Sequence, residues 1–173
     1  GVRMVIRVTL NPLSKSKNGP DSRDTINTST TSRPSEIPTR RLSAKGGFRV
    51  LILDDDELVA EAMADMTTAL GYEAVAFTEG RLALEYLVDH DKEVSLIVSD
   101  LSMPNLSGQE FAKHVEILDS EIPIVVATGM RDYITPELRN RRNIRECLQK
   151  PLSFPEFGEM LLRHVGPPEV AAV

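Results

Sequence analysis

The feature that most constrains the fold is a short apolar run ending in one carboxylate, LIVSD at residues 96–100, which a Pro- and Gly-containing turn follows at once. Four to eight apolar residues between turn formers indicate a strand that is buried on both faces, as in a parallel sheet. Asp100 would then lie at the carboxyl end of that strand, where open α/β sheets bind their ligands. Ser107 and Glu110 have capping-box spacing, so a helix is predicted to begin directly after the turn.

Four further apolar runs alternate with helical patterns along the chain. The five predicted strands are residues 49–53, 74–77, 96–100, 122–128 and 144–148. Strands that alternate with helices indicate parallel βαβ units with right-handed crossovers. The predicted fold class is α/β, a flavodoxin-like doubly wound (βα)5 unit whose five-stranded parallel sheet has the order 2-1-3-4-5. Among the helix boundaries, Gly71 should end the first helix, Thr78 should cap the second, and Ser153 with Glu156 should cap the last.

Charge and composition divide the chain near residue 46. Residues 1–46 hold nine Lys/Arg and three Asp/Glu, whereas residues 47–173 hold eleven and 23. The acidic second part argues against direct contact with nucleic acid and suits a divalent cation. Residues 13–46 are Ser/Thr/Pro-rich and basic, which predicts a disordered linker. Residues 1–12 form a candidate strand, residues 47–166 one domain and residues 167–173 a tail.

The compartment is predicted from what the sequence lacks. Cys147 is the single cysteine, so neither a disulfide framework nor a metal–thiolate cluster is expected, and a reducing compartment fits. The apolar patches at the start are broken by Arg3 and Arg7 and do not read as a signal peptide. No run approaches the length of a membrane span. We therefore expect a cytoplasmic location and no membrane contact by this segment.

Four predicted strands carry polar side chains at ends that should meet at one edge of the sheet. These are Asp54 and Asp55 after the first strand, Asp100 after the third, Thr128 after the fourth and Lys150 after the fifth. Three neighbouring carboxylates repel one another, and Mg²⁺ relieves that repulsion with the oxygen ligands it prefers. Phosphoryl transfer depends mainly on positioning and charge neutralisation. Asp100 as nucleophile, Thr128 as hydroxyl donor, and Lys150 with Mg²⁺ on the phosphoryl oxygens meet those needs.

These motifs resemble the receiver domain of two-component response regulators over about residues 47–166. The matching segments are VLILDD (50–55), SDLSMPNLSG (99–108), VVATG (125–129) and LQKP (148–151). The resemblance implies that Asp100 accepts a phosphoryl group from a phosphohistidine-bearing kinase or phosphotransfer domain. Such a receiver would catalyse its own phosphorylation and dephosphorylation.

The resemblance also assigns the remaining site residues. Asp55 would bind Mg²⁺ directly and Asp54 largely through water, so the metal ligands would be Asp54, Asp55, Asp100 and the Ser102 backbone carbonyl. Thr128 would be the switch hydroxyl and Lys150 the phosphate-binding lysine, with a cis Lys150–Pro151 peptide. One position departs from the family pattern: Cys147 stands where an aromatic switch residue is usual. That departure predicts weak coupling between phosphorylation and the rest of the domain.

The sequence leaves several domain organisations and functions open. Residues 1–12 resemble the final strand of a histidine-kinase ATP-binding domain, so the chain is predicted to be the C-terminal receiver of a hybrid sensor histidine kinase. A single-domain response regulator is the alternative. A haloacid dehalogenase-like phosphatase would instead use Asp54 as nucleophile and Asp56 as acid, and an interaction module would not use phosphorylation at all. An arginine-rich stretch beside the fourth helix is read as a solvated face.

Overall fold

A computed structural model of the chain describes residues 5–7, 48–118 and 120–168. The strands are β1 Val5–Arg7, β2 Arg49–Leu53, β3 Glu73–Phe77, β4 Val94–Asp100, β5 Ile124–Thr128 and β6 Ile144–Gln149. The helices are α1 Glu57–Ala69, α2 Gly80–His90, α3 Gly108–Ile117, α4 Pro136–Arg139 and α5 Phe154–His164, with a 3-10 turn at Arg131–Tyr133. The predicted linker, residues 13–46, and the tail beyond residue 168 lie outside the described residues.

Within the described residues, the sheet has six strands in the order β1-β3-β2-β4-β5-β6. Strands β2 to β6 are all parallel to one another. Counted from β2 as the first, their order is 2-1-3-4-5, so the predicted fold class is confirmed. The sixth strand, β1, pairs antiparallel with the outer edge of β3. The sequence pattern indicated a strand at this position but gave no partner for it.

Apolar side chains on both faces of the sheet form two core clusters. Along β2, Leu51 and Leu53 belong to the cluster that packs with α2 and α3, whereas Val50 and Ile52 belong to the one that packs with α1 and α5. All four are at most 1% exposed. Burying each such side chain contributes about 1.5–3 kcal/mol relative to an exposed one. The helices therefore hold the strand ends at fixed positions.

Local signals located most of the helix boundaries. Ser107 with Glu110 and Ser153 with Glu156 form the two predicted capping boxes. Gly71, at φ +89°, follows the end of α1 as predicted. The prediction of Thr78 as the cap of α2 is wrong.

The cap position of α2 is occupied by Glu79, whose side chain makes no capping hydrogen bond. The first residue of α2, Gly80, packs closely against the loop after β4, since a Cβ atom on it would lie 2.7 Å from Leu106 Cδ2. Helix α2 therefore begins beside a tertiary contact and without a side-chain cap.

No helix within residues 5–7, 48–118 and 120–168 has the length and apolar character needed to cross a membrane.

Candidate functional site

The site is built around an ammonium group that contacts two carboxylates. Lys150 Nζ lies 2.8 Å from Asp100 Oδ1 and also donates a hydrogen bond to Asp54 Oδ2. The Asp54 and Asp100 side chains are 3% and 9% exposed, and the Lys150 side chain is 20% exposed. The three residues come from the ends of β2, β4 and β6, so the parallel sheet brings together groups that are far apart in sequence. A polar cluster at the carboxyl edge was predicted and is observed.

Backbone hydrogen bonds hold these side chains in place. The Asp54 amide donates to the Phe77 carbonyl at 3.1 Å, and the Lys150 amide donates to the Thr128 carbonyl at 2.9 Å. The Ser102 amide donates to Asp100 Oδ2 at 2.8 Å, so both carboxylate oxygens of Asp100 have a donor. Charge-assisted bonds of this kind are stronger than neutral ones. The Asp100 carboxylate is therefore fixed in orientation, with little of its surface open.

Burial and pairing act in opposite directions on the acid–base groups of the site. Burial raises the pKa of the Asp54 carboxyl, and the hydrogen bond and charge of Lys150 offset only part of that rise. Burial lowers the pKa of Lys150, but hydrogen bonds to Asp100 and Asp54 outweigh it, and the net pKa is raised. Lys150 is thus held as an ammonium beside two acids.

Thr128 lies at the end of β5 and is 1% exposed. Its Oγ1 accepts a hydrogen bond of 3.1 Å from the Met130 amide. Its neighbour across the sheet is Gln149, directly before Lys150. Ala127 pairs with Asp100 of β4, so Thr128, the next residue of β5, lies at the same edge of the sheet as Asp100.

The other two acids after β2 are arranged differently. Asp55 is exposed. Asp56 is the N-cap of α1, where its Oδ1 accepts hydrogen bonds from the Leu58 and Val59 amides. The phosphatase alternative required Asp56 to act as an acid with Asp54. Asp56 instead performs the structural task of a helix cap, which its sequence position also permits.

Two residues that flank the loop after β4 had no predicted role, Ser99 in β4 and Gly108 at the start of α3. A Cβ atom on Gly108 would lie 2.2 Å from the Asp100 carbonyl oxygen, so only glycine fits there. Ser99 is fully buried, and its hydroxyl donates to the same Asp100 carbonyl at 2.8 Å. For Gly108, the available sequence signal was its position at the end of the turn. Nothing local distinguishes Ser99 from any other strand serine.

A model described as "Response regulator receiver domain" matches residues 50–162. The chain belongs to the response regulator receiver domain family. This assignment confirms the predicted resemblance and makes the described domain a receiver domain of two-component signalling. The phosphatase alternative is thereby left without support.

Several relatives resemble this receiver domain over its whole length. The polar-differentiation response regulator DivK of Brucella anthropi is 29% identical over 119 residues, covering 68% of this chain and 95% of DivK. The structure of chemotaxis protein CheY4 of Vibrio cholerae superposes with a TM-score of 0.63 at 24% identity, over 68% of this chain and 98% of that one. The receiver domain of the hybrid histidine kinase CckA superposes with a TM-score of 0.57 at 23% identity and the same coverage. The two structural matches establish the shared fold.

The receiver domain offers oxygen donors suited to a hard cation. Asp54, Asp55 and Asp100 supply carboxylates, and the Ser102 carbonyl follows two residues after Asp100. Six oxygen ligands including waters suit Mg²⁺, and none of these four donors is a sulfur or an imidazole. In the described part of the chain, no three acids, histidines or cysteines stand grouped closely enough to hold a metal ion, and Asp55 is exposed. The chemistry of the donor set fits Mg²⁺, with Lys150 balancing the two buried carboxylates.

Cys147 lies in β6 opposite Val126 and is half-buried against the core cluster on the α2 and α3 side. Burial raises the pKa of its thiol, and the charge of Arg139 offsets this only in part.

The arginines near the fourth helix differ in their surroundings. Arg139 and Arg145 are exposed, whereas Arg141 pairs with Glu116 at 3.1 Å and is 22% exposed. The predicted solvated face therefore holds for only part of that stretch.

Proposed function

We propose that this receiver domain accepts a phosphoryl group on Asp100 from the phosphohistidine of a kinase or phosphotransfer domain, as one step of a phosphorelay. The observation that carries the proposal is the contact of the Lys150 ammonium with both Asp54 and Asp100. A carboxylate that is fixed by two donors, sits at the tip of the central strand and adjoins a cation is suited to attack phosphorus. Family membership supports the same reaction class.

The transfer step conserves atoms and charge. A carboxylate oxygen of Asp100 forms a bond to phosphorus while the phosphorus–nitrogen bond to the imidazole breaks. The electron pair of the broken bond stays on the imidazole nitrogen, which a proton from water neutralises. The incoming group adds negative charge beside Asp54, so the ammonium of Lys150 is needed to stabilise it.

Asp54, Asp55, Asp100 and the Ser102 carbonyl would hold Mg²⁺ in this proposal. When bound, the cation supplies positive charge that neutralises the carboxylates and the phosphoryl oxygens. Asp55 is the exposed member of the set, and its side chain can turn without disturbing the core. The Thr128 hydroxyl would donate a hydrogen bond to a phosphoryl oxygen. In the structure Thr128 Oγ1 accepts a hydrogen bond from the Met130 amide, and that bond does not use the hydroxyl proton.

The wider context is proposed as a hybrid sensor histidine kinase located in the cytoplasm, of which this is a C-terminal receiver. The support is the kinase-like pattern of residues 1–12 together with the basic composition of residues 13–46. A single-domain response regulator is the alternative. Reading the parent gene upstream of residue 1 separates the two, because only the hybrid kinase has an ATP-binding domain there.

The experiment is mass spectrometry after incubation with acetyl phosphate and Mg²⁺. The wild type should gain one phosphoryl group, and Asp100→Ala should gain none. Asp56→Asn is the matched control, because asparagine also caps a helix and leaves the site untouched. Asp56→Asn should be labelled like the wild type. Undiminished labelling of Asp100→Ala would reject Asp100 as the acceptor.

A further inference from the structure

The outer edge of β3 is covered by the chain's own N-terminal strand. Val5 pairs with Ala76, Ile6 with Val75 and Arg7 with Ala74, in antiparallel register. This strand lies outside the five strands that alternate with helices. None of the residues assigned to the phosphoryl site lies in it, so its pairing calls for a separate account.

The backbone of β3 shows which groups β1 satisfies. The Glu73 amide donates to Phe48, and the Phe77 carbonyl accepts from Asp54, so the odd-numbered residues of β3 direct their polar groups toward β2. Because these directions alternate along a strand, Ala74 and Ala76 direct theirs to the opposite side. Val5 and Arg7 stand opposite these two alanines and form the hydrogen-bonded pairs. Ile6 occupies the pair without hydrogen bonds.

Without β1, the edge of β3 has little protection of its own. Residues 74–77 are Ala, Val, Ala and Phe, all at most 4% exposed, with neither a charge nor a proline. The opposite edge is different. Strand β6 has a register shift beside β5 and carries Arg145 and Glu146. Bulges and charges are the usual means of preventing edge-to-edge pairing. Strand β6 has both, whereas the one charge in β3 is Glu73 at its first residue, which pairs with Arg49 of β2.

Chain geometry allows the same molecule to supply this strand. Arg7 and Val50 both stand opposite Ala74, on its two sides. Neighbouring strands lie about 4.8 Å apart, so roughly 10 Å separates the two points. The 42 residues numbered 8–49 join them, and even a few extended residues would span that distance. Pairing within one chain therefore requires no second copy.

We propose that the outer edge of β3 is a strand-binding site occupied in cis by residues 5–7, and that this occupancy prevents a second copy from pairing there. The proposal is independent of phosphorylation at Asp100. It predicts that loss of β1 exposes two specific amides and promotes self-association.

The first test is hydrogen exchange of the Ala74 and Ala76 amides in the full chain. Val5→Pro removes an amide that β1 directs to β3, whereas Ile6→Pro removes one directed away from it, where an edge strand tolerates proline. We expect slow exchange in the wild type and in Ile6→Pro, and at least tenfold faster exchange in Val5→Pro. The Val75 amide, directed to β2, is the internal control and should stay slow in all three. Equal exchange of Ala74 and Ala76 in the two proline variants, or fast exchange in the wild type, would reject the site.

The second test is molar mass by analytical ultracentrifugation over a concentration series. The wild type and Ile6→Pro should be monomers, and Val5→Pro should associate as its concentration rises. A wild-type dimer that Val5→Pro dissociates would mean that β1 pairs in trans and would reject occupancy in cis. A Val5→Pro variant that stays monomeric while Ala74 and Ala76 exchange quickly would reject the protective role.

Discussion

At the residue scale, the site depends on the one ammonium group that balances two buried carboxylates. Lys150 contacts Asp54 and Asp100, and neither acid has more than 9% of its side chain exposed. Removing one partner of a buried ion pair leaves an uncompensated charge. Lys150→Met should therefore lower the free energy of unfolding by about 3 kcal/mol, the low end of the range for such losses, because Lys150 is itself partly exposed. Urea denaturation measures this change. Lys92→Met, at an exposed lysine, is the control and should change stability by less than about 0.5 kcal/mol.

Cys147 is the residue whose identity bears on signal output. It stands half-buried in β6, opposite Val126 of β5. Movement of Thr128 toward a phosphoryl group would leave space that no aromatic ring fills. The phosphorylated and unphosphorylated states should therefore differ little in packing. A small differential interaction shifts the population little. Beryllofluoride should therefore cause small amide chemical-shift changes across residues 131–148 in the wild type and larger ones in Cys147→Tyr. Large wild-type changes that the tyrosine does not increase would contradict this expectation.

At the element scale, Glu146 ties β6 to the end of α5. Its carboxylate contacts His164 Nε2 at 2.7 Å and Arg163 at 3.1 Å. Burial would raise the pKa of Glu146, but the hydrogen bonds from His164 and Arg163 outweigh it, and the net pKa is lowered. The folded state therefore binds a proton at Glu146 less readily than the unfolded state does.

The sign of the pH dependence follows from that lowered pKa. The stabilisation is present above the unfolded pKa of about 4.5 and is lost as the pH falls through the folded value. Glu146→Gln should reduce the free energy of unfolding by up to about 1 kcal/mol near neutral pH, since the pair is partly exposed, and by less in acid. Urea denaturation over a pH series measures this difference. Glu121→Gln, at an exposed position, should show no such trend. A difference that grows toward acid would contradict the assignment.

At the scale of the whole molecule, the acidic edge couples cation binding to stability. In the proposed function, Mg²⁺ binds the folded domain and relieves repulsion among Asp54, Asp55 and Asp100. Because Mg²⁺ would bind the folded state only, linkage predicts a gain of about 2.7 kcal/mol in the free energy of unfolding when the Mg²⁺ concentration is a hundred times the dissociation constant. Asp55→Asn should lose most of that gain, and Asp56→Asn should keep it. Thermal unfolding with and without Mg²⁺ measures the gain, and an Asp55→Asn shift equal to that of the wild type would place the metal elsewhere.

The sequence alone determined the fold and the members of the candidate site. The periodicity of apolar residues, the turn residues and the capping boxes are all local features that span only a few residues. The five parallel strands and the Ser107 and Ser153 caps could therefore be predicted from the sequence. Parallel topology then requires all the carboxyl ends to meet at one edge. That rule alone brings Asp54, Asp100 and Lys150 together.

Only the tertiary structure decided how those groups are used. Asp54 and Asp55 are equivalent in the sequence, but the first lies under the sheet edge against Lys150 and the second faces solvent. Helix α2 begins at Gly80, which packs against Leu106, and the capping propensity of Thr78 is not used. The partner of β1 was not predictable, because strand pairing is specified by contacts between residues some seventy positions apart. Local patterns reveal which elements form, whereas burial and long-range hydrogen bonds decide which atoms meet.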